Sequence, residues 1–473
     1  MLNRVKFGTS GVRGLVSDLT DKVCVSFMRA FIKHCESNFS DKLKSNKKII
    51  FAGDFRESSP RIKAVIMNLA ANLGFQVYDG GLAPTPALAY SCQKQNALGI
   101  MITGSHIPAD RNGFKFYFPW GEILKSDELQ ISKYYELFEN SIEEKNIESS
   151  HFQPNSLNIL TPFNERYSSV FGENILRGVK VVFYQHSTLA QLSIPEVLRQ
   201  LGAEVIIALP SKEFVAVDTE AFDANPALLE IIKNEKPFAT ISADGDGDRP
   251  IVINEKSEMI PGDILGILCC KFLNADQVVT PVTSNSSLEN CGFRKVVRTK
   301  VGSPFVIEAM DSGVTETCCG FEANGGFLLG SDVIINGRVL EKLPTRDSVL
   351  PAVIPLIMAK QKNMTLSQLV EDLAPLATYS DLIRSFDVSK SQVVLKKAID
   401  NFTVDSRKPI KVDFTDGVRF YFDDKSIVHL RPSGNAPEFR IYTESKNKSR
   451  ACELASIARK FIVENSVMEN SNV

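Results

Sequence analysis

Leu201-Gly202-Ala203-Glu204-Val205 closes a helix-like segment with a glycine and opens a β-branched run, and upstream of it Val179-Lys180-Val181-Val182-Phe183 reads as a strand. A glycine in that place supplies the left-handed residue that ends a helix. The order strand, helix, glycine, strand is therefore one parallel α/β unit. The same grammar occurs twice more: Leu73-Gly74-Phe75-Gln76-Val77 follows the strand candidate Lys48-Ile49-Ile50-Phe51-Ala52, and Cys291-Gly292-Phe293-Arg294-Lys295-Val296 follows Val278-Val279-Thr280-Pro281-Val282. From about residue 376 the pattern changes to short strands with polar turns (Val412-Asp413-Phe414, Val418-Arg419-Phe420-Tyr421-Phe422, Ile427-Val428-His429-Leu430, Phe439-Arg440-Ile441-Tyr442-Thr443), followed by a helix over about 449–463. The expected fold is α/β: three similar domains with mixed or parallel sheets, then a C-terminal α+β domain. The expected boundaries are 1–150, 151–258, 259–372 and 373–473, with the polar stretches 140–160 and 368–380 as linkers.

Composition narrows the function. The 473 residues carry 54 Lys+Arg against 56 Asp+Glu, a formal net charge of -2, so there is no broad basic field for nucleic acid or anionic lipid and the natural partner is a small molecule. At roughly 100–200 residues per domain, the length calls for about three or four domains. The N-terminus has no apolar stretch after its first charges, and the longest apolar run, from Val349 to Ala359, contains Pro351 and Pro355. Neither a signal peptide nor a membrane span is expected. Nine scattered cysteines without a Cys-x-x-Cys pair read as reduced thiols in a cytoplasm.

In open parallel sheets, ligands collect at loops leaving the carboxyl ends of strands, and the three exits here differ in chemistry. They are Thr103-Gly104-Ser105-His106-Ile107-Pro108, Asp244-Gly245-Asp246-Gly247-Asp248-Arg249 and Gly320-Phe321-Glu322-Ala323-Asn324-Gly325-Gly326. In extended backbone Asp244, Asp246 and Asp248 leave one side of the chain, and such a density of hard oxygen ligands calls for Mg²⁺ or a similar cation. An EF-hand count from Asp244 would place Glu255 as the bidentate twelfth ligand, yet Arg249 stands at the sixth position, where the turn needs glycine. Ser105 lacks the flanking glycines of a hydrolase nucleophile elbow, since Thr103 and Ile107 occupy those places. Around it lie His106, Arg111 and Lys115. The segment Phe7-Gly8-Thr9-Ser10-Gly11-Val12-Arg13-Gly14 lacks the lysine of a nucleotide-binding P-loop and reads instead as an arginine held near an anion.

Taken in order, Gly8-Thr9-Ser10-Gly11-Val12-Arg13-Gly14, the serine loop through Tyr117, the Asp244–Arg249 loop, Gly320 to Gly326, and Arg431-Pro432-Ser433-Gly434-Asn435-Ala436-Pro437-Glu438-Phe439-Arg440 resemble the α-D-phosphohexomutase family across essentially the whole chain. The third loop is most similar to that of bacterial phosphomannomutases, with phosphoglucomutase and phosphoglucosamine mutase as siblings. The resemblance implies four domains around a central cleft and an isomerase that interconverts mannose 6-phosphate and mannose 1-phosphate through a hexose 1,6-bisphosphate, which also serves as activator. It implies that Ser105 carries the phosphoryl group, and that Asp244, Asp246 and Asp248 hold Mg²⁺ with an oxygen of phosphorylated Ser105. His106, Lys115, Arg13 and Arg249 would surround the transferred group, and Glu322 and Asn324 would read sugar hydroxyls. Arg431, Ser433, Gly434, Asn435 and Arg440 would bind the other phosphate. A monomer or small homo-oligomer is expected. A metal-dependent sugar phosphatase, recognised by release of inorganic phosphate, and a non-catalytic sugar-phosphate binder are the readings from other classes.

Overall fold

The computed structural model describes residues 5–8, 10–39, 47–141, 152–220, 222–311, 317–432 and 438–466. The chain divides into two compact units, Met1–Val279 with Gly302–Val370, and Thr280–Val301 with Glu371–Val473.

The larger unit contains three sheets built on one plan. In the first, Lys48–Gly53 lies between Gln76–Leu82 and Leu98–Ile102, both parallel to it, and Leu98–Ile102 then pairs antiparallel with Arg111–Phe118. In the second, Lys180–His186 is parallel to Glu204–Pro210 and Ala239–Ala243, and Ala239–Ala243 turns back antiparallel onto Pro250–Ile253. In the third, residues 277–279 are parallel to Cys318–Phe321, which returns antiparallel onto Phe327–Leu329. A parallel pair needs a long crossover, whereas an antiparallel pair accepts a short loop. Each of the three chemically distinct loops is therefore the short connection at the place where a sheet switches from parallel to antiparallel.

The expected helix-ending glycines are where the sequence places them: Gly74, Gly202 and Gly292 have φ of 80°, 91° and 82°. At Gly202 space adds to conformation, because a Cβ there would lie 2.8 Å from the Asn174 backbone. The first domain's core is strongly aromatic. Phe31 stacks on Phe116 at 4.5 Å and Phe27 lies 5.9 Å from Phe114, so the helix Asp21–Asn38 is pressed onto the face of Arg111–Phe118. At about 1.5–3 kcal/mol for each fully buried side chain of this size, that core anchors the strand which carries Lys115. The apolar run after Ser348 is a buried helix, Val349–Gln361, despite its two prolines. Pro351 falls in the first turn, where its missing N–H costs nothing, and only Pro355 lies inside.

The smaller unit is an α+β domain: an antiparallel sheet in the order Ala377–Arg384, Glu438–Ser445, Ile427–Pro432, Val418–Tyr421, Lys411–Asp413, with the helices Ser391–Asn401 and Lys448–Ser466 sharing its core. The stretch 368–380, expected as a linker, holds the boundary between the two units at Val370 and Glu371, which falls inside the helix Leu366–Leu373 and ahead of the first strand. Buried Arg419 ties residues 280–301 to this unit by donating to the Val282 carbonyl, to Ser286 Oγ at 2.6 Å and to Glu444 at 2.5 Å.

His429 is sealed in the same core, where its Nε2 donates to the Asp416 carbonyl at 2.6 Å. Burial pushes its pKa down from 6.5 to about 4, against the raising effect of that bond. The unfolded chain takes up this proton near pH 6.5 and the folded chain only near 4, so the contribution to stability is whole above 6.5 and is lost as pH falls through that window. The loss amounts to about 3 kcal/mol. Thermal unfolding between pH 7 and 4 should therefore show a steeper acid decline for wild type than for His429→Gln, and superimposable acid limbs would refute it.

Candidate active site

Ser105 follows the strand Leu98–Ile102, is fully buried and stands at φ 56°, a left-handed conformation unusual for a residue with a side chain. Strain of this kind persists only where the surroundings over-determine it, and here they do. Arg56 spends all five guanidinium donors on the loop and its counter-ion. Nη2 donates to the carbonyls of Ser105 (3.0 Å) and Ile107 (2.6 Å), Nη1 to those of Pro108 (2.7 Å) and Arg111 (2.8 Å), and Nε to Asp54 (3.1 Å). Asp54 also accepts from Ser59 and Thr103, and Thr103 Oγ1 accepts the Ser105 N–H at 2.8 Å. The guanidinium lies 3.8 Å from the centre of the Phe214 ring.

The result is that Ser105 Oγ donates to Asp244 Oδ2 at 2.7 Å. Asp244, Asp246 and Asp248 are fully buried, with one carboxylate oxygen from each within 4.8 Å of the others. Lys115 Nζ bridges Asp246 (2.6 Å) and Asp248 (2.7 Å), and Thr85 donates to Asp246 at 2.7 Å. Burial and the neighbouring charges of Asp246 and Asp248 push the Asp244 carboxyl up to about 8. At Asp246 burial acts the same way, but Lys115 and Thr85 outweigh it and hold the carboxylate below its ordinary range. Asp246 Oδ1 and Asp248 Oδ1 are buried without a hydrogen-bond partner. Hard oxygen donors, left unsatisfied and mutually repelling, fit a small divalent cation. Glu255 takes no part: its carboxylate accepts from the Ser367 hydroxyl and N–H, and this answers the calcium-loop count.

The cations expected around the transferred group are gathered in the same unit. Arg13, on the strand Val12–Leu15, is half-buried, and desolvation together with the charge of Arg249 brings its pKa down to about 10. Arg249 donates to His106 Nδ1 at 3.1 Å. Burial, then the charges of Arg249 and Arg13, push His106 down to about 2, so it is a neutral imidazole rather than one of the site's positive charges. Glu322 and Asn324 are buried in the loop between Cys318–Phe321 and Phe327–Leu329, where Asn324 Oδ1 accepts the Gly326 N–H at 3.1 Å. Burial raises the Glu322 pKa.

In the smaller unit Arg431 Nε donates to Asp416 at 2.9 Å and Arg440 lies 3.6 Å from Glu438. Ser433, Gly434 and Asn435 lie outside the described residues. Arg56, Asp54, Thr85, Thr103 and Arg346 escape the sequence reading. Asp54 and Arg56 directly follow a strand end, the kind of place where site residues collect; Arg346 carries no such signal.

Three models of the phosphoglucomutase/phosphomannomutase family match the chain: α/β/α domain I over residues 4–141, α/β/α domain III over 261–376 and the C-terminal domain over 388–460. A phosphomannomutase of Salmonella muenchen is 39% identical over 95% of this chain and 94% of its own length, and one from Sinorhizobium fredii 38% identical over 98% and 99%. The crystal structure of a phosphoglucomutase/phosphomannomutase family protein from Burkholderia thailandensis shares the fold with a TM-score of 0.77 at 17% identity, over 98% of both chains. With the family models covering most of its length and relatives this similar from end to end, the chain belongs to the phosphoglucomutase/phosphomannomutase family.

Proposed function

We propose that this protein is an isomerase that interconverts mannose 6-phosphate and mannose 1-phosphate by way of a phosphoserine at Ser105. The observation that carries the reading is the 2.7 Å contact between Ser105 Oγ and Asp244, within a buried triad whose geometry suits a cation. The choice of mannose rests on the two phosphomannomutases that are 38–39% identical over nearly the full length.

In this reading Asp244, Asp246, Asp248 and an oxygen of phosphorylated Ser105 hold Mg²⁺, which supplies charge neutralisation at the phosphoryl group. Phosphoryl transfer asks mostly for positioning and electrostatic stabilisation, and the chain's own residues supply both. The Arg56 clamp fixes Ser105, while Lys115, Arg13 and Arg249 offset the carboxylates and phosphates. His106, neutral, offers hydrogen bonding rather than charge. The phosphoryl leaves Ser105 Oγ for a sugar hydroxyl, and Oγ ends as a hydroxyl carrying the proton the sugar has lost. The bisphosphate formed then reorients and returns its other phosphoryl to Ser105. Glu322 and Asn324 hold sugar hydroxyls, and Arg431, Arg440 and the stretch Ser433, Gly434, Asn435 bind the phosphate that is not being transferred. Hexose 1,6-bisphosphate is the activator that loads Ser105, and the four domains of the family divide these tasks. A cytoplasmic location belongs to this reading, supported by nine free cysteines of the kind a reducing compartment keeps as thiols; among the described residues no helix is long and apolar enough to cross a membrane.

Incubation with hexose 1,6-bisphosphate should add one phosphoryl mass to wild type and none to Ser105→Ala. The alanine variant should lose turnover by about 10³-fold or more while melting near the wild-type temperature. Inorganic phosphate in place of isomer would instead identify a phosphatase. Asp246→Asn should weaken Mg²⁺ in a calorimetric titration and lower activity far more than Glu255→Gln, whose carboxylate is occupied by Ser367. The reverse ranking would remove the triad as the metal site.

A further inference from the structure

Arg346 is 1% exposed, and its three guanidinium nitrogens reach three different loops. Nε lies 3.1 Å from Asp248 Oδ2 in the acidic loop, Nη1 3.6 Å from Glu322 Oε1 in the sugar loop, and Nη2 donates to Ser10 Oγ at 3.3 Å in the N-terminal glycine-rich segment. A buried guanidinium is costly unless its partners are well placed, and the backbone around this one is pinned on both sides. Thr345 donates to Glu122 at 2.5 Å, Tyr167 to Asp347 at 2.8 Å, and Ser348 to the Gly247 carbonyl inside the acidic loop at 2.7 Å. Alternation along the strand Leu343–Asp347 puts Thr345 and Asp347 on one face and Arg346 on the other.

Gly326 explains how the side chain gets there. A Cβ on Gly326 would fall 2.5 Å from Arg346 Cδ and 2.6 Å from Cγ. Its φ is not among the positive ones, so the glycine is required for room and not for conformation. The last residue of the sugar loop has thus given up its side chain to let an arginine from the strand Leu343–Asp347 pass beneath it. Glu322 Oε1, the atom that arginine approaches, has no hydrogen-bond partner and is buried.

We propose that Arg346 is a positioning residue of the transfer site, threaded under Gly326 so that one guanidinium fixes the Glu322 carboxylate relative to Asp248. It would keep the loop that reads the sugar in register with the loop that holds the metal. The inference rests on the mutase reading for Glu322, and it commits to Arg346 acting through Glu322 rather than on substrate directly.

A double-mutant cycle tests it, using wild type, Arg346→Gln, Glu322→Gln and the double variant at saturating Mg²⁺. Each is read twice: on conversion of mannose 6-phosphate, and on mannose 1-phosphate affinity by calorimetry, which needs no turnover. A misplacement of about 1 Å costs on the order of 10²-fold, so Arg346→Gln should lower kcat by about that factor. The double variant should fall no more than about threefold below the worse single variant, because both changes remove one interaction. Arg346→Lys, which keeps the charge but not the fork, should recover only part of the loss. Gly326→Ala, which removes no charged group but crowds the buried Arg346 side chain, should reproduce the Arg346→Gln defect in kcat along with some loss of melting temperature. Losses that multiply in both readouts, or a fully active Gly326→Ala, would overturn the proposal. Wild type that binds mannose 1-phosphate but does not interconvert the isomers would instead refute the mutase reading and leave the affinity cycle to decide on Arg346.

Discussion

Three carboxylates buried within 4.8 Å of one another set the terms for the larger unit. Two like charges about 4 Å apart repel by roughly 4 kcal/mol at an effective dielectric near 20, so the loop Asp244–Arg249 cannot be stable alone. The molecule answers from several directions at once. Lys115 enters from the first sheet, Arg346 from the third and Arg249 from the loop itself, while Thr85 and Ser105 donate hydrogen bonds. The answer is incomplete, since Asp244 is pushed up to about 8 and two oxygens remain without a hydrogen-bond partner. That residual imbalance is what suits the loop to a cation rather than to a salt-bridge core.

The repeated topology explains why the answering groups arrive together. Each sheet places its short loop at the turn from a parallel to an antiparallel strand, so each loop is anchored at both ends by neighbouring strands of one sheet. Such loops can be chemically different while their frames stay alike. The serine loop is pulled inward by Arg56, the acidic loop is held by the Thr188 hydroxyl on the Asp244 carbonyl, and the sugar loop is pinned by Thr219 on the Asn324 carbonyl. Precision is thus built mainly from bonds to backbone carbonyls, which depend little on which side chains the loops carry.

This division also separates what the sequence reveals from what it hides. The repeat of strand, helix and glycine is local, as is the spacing of Asp244, Asp246 and Asp248, and both can be read directly. Ser105 stands out only beside its neighbours and through family likeness. Arg56 and Arg346 act across long separations, the first on a loop 49 residues away, and nothing near either in sequence announces the partner. The polarity of 368–380 does mark the division between the two units, but not the helix and edge strand that occupy it, because both expose polar residues there. The protonation of His106 is hidden as well, since it depends on burial and on Arg249 and Arg13, neither of which is its neighbour in the chain.

The conformation of Ser105 links these threads. A left-handed residue with a side chain costs on the order of 1–2 kcal/mol, and four loop carbonyls turned toward Arg56 are the means of holding it. Arg56 in turn lies against Phe214, and Phe214 occupies the space where a side chain on Gly245 would sit, 2.7 Å from that Cβ position. The clamp that strains the serine therefore rests on the loop that carries the acids, and Ser105 Oγ meets Asp244 at 2.7 Å as a consequence. Strain stored in this way need not be relieved during a transfer, because both partners are fixed through the same stack of Arg56, Phe214 and Gly245. In the proposed mechanism a phosphoryl donor and its metal ligands would have to keep their spacing through two successive transfers, and a nucleophile on a freely hinged loop would have to find that spacing again each time.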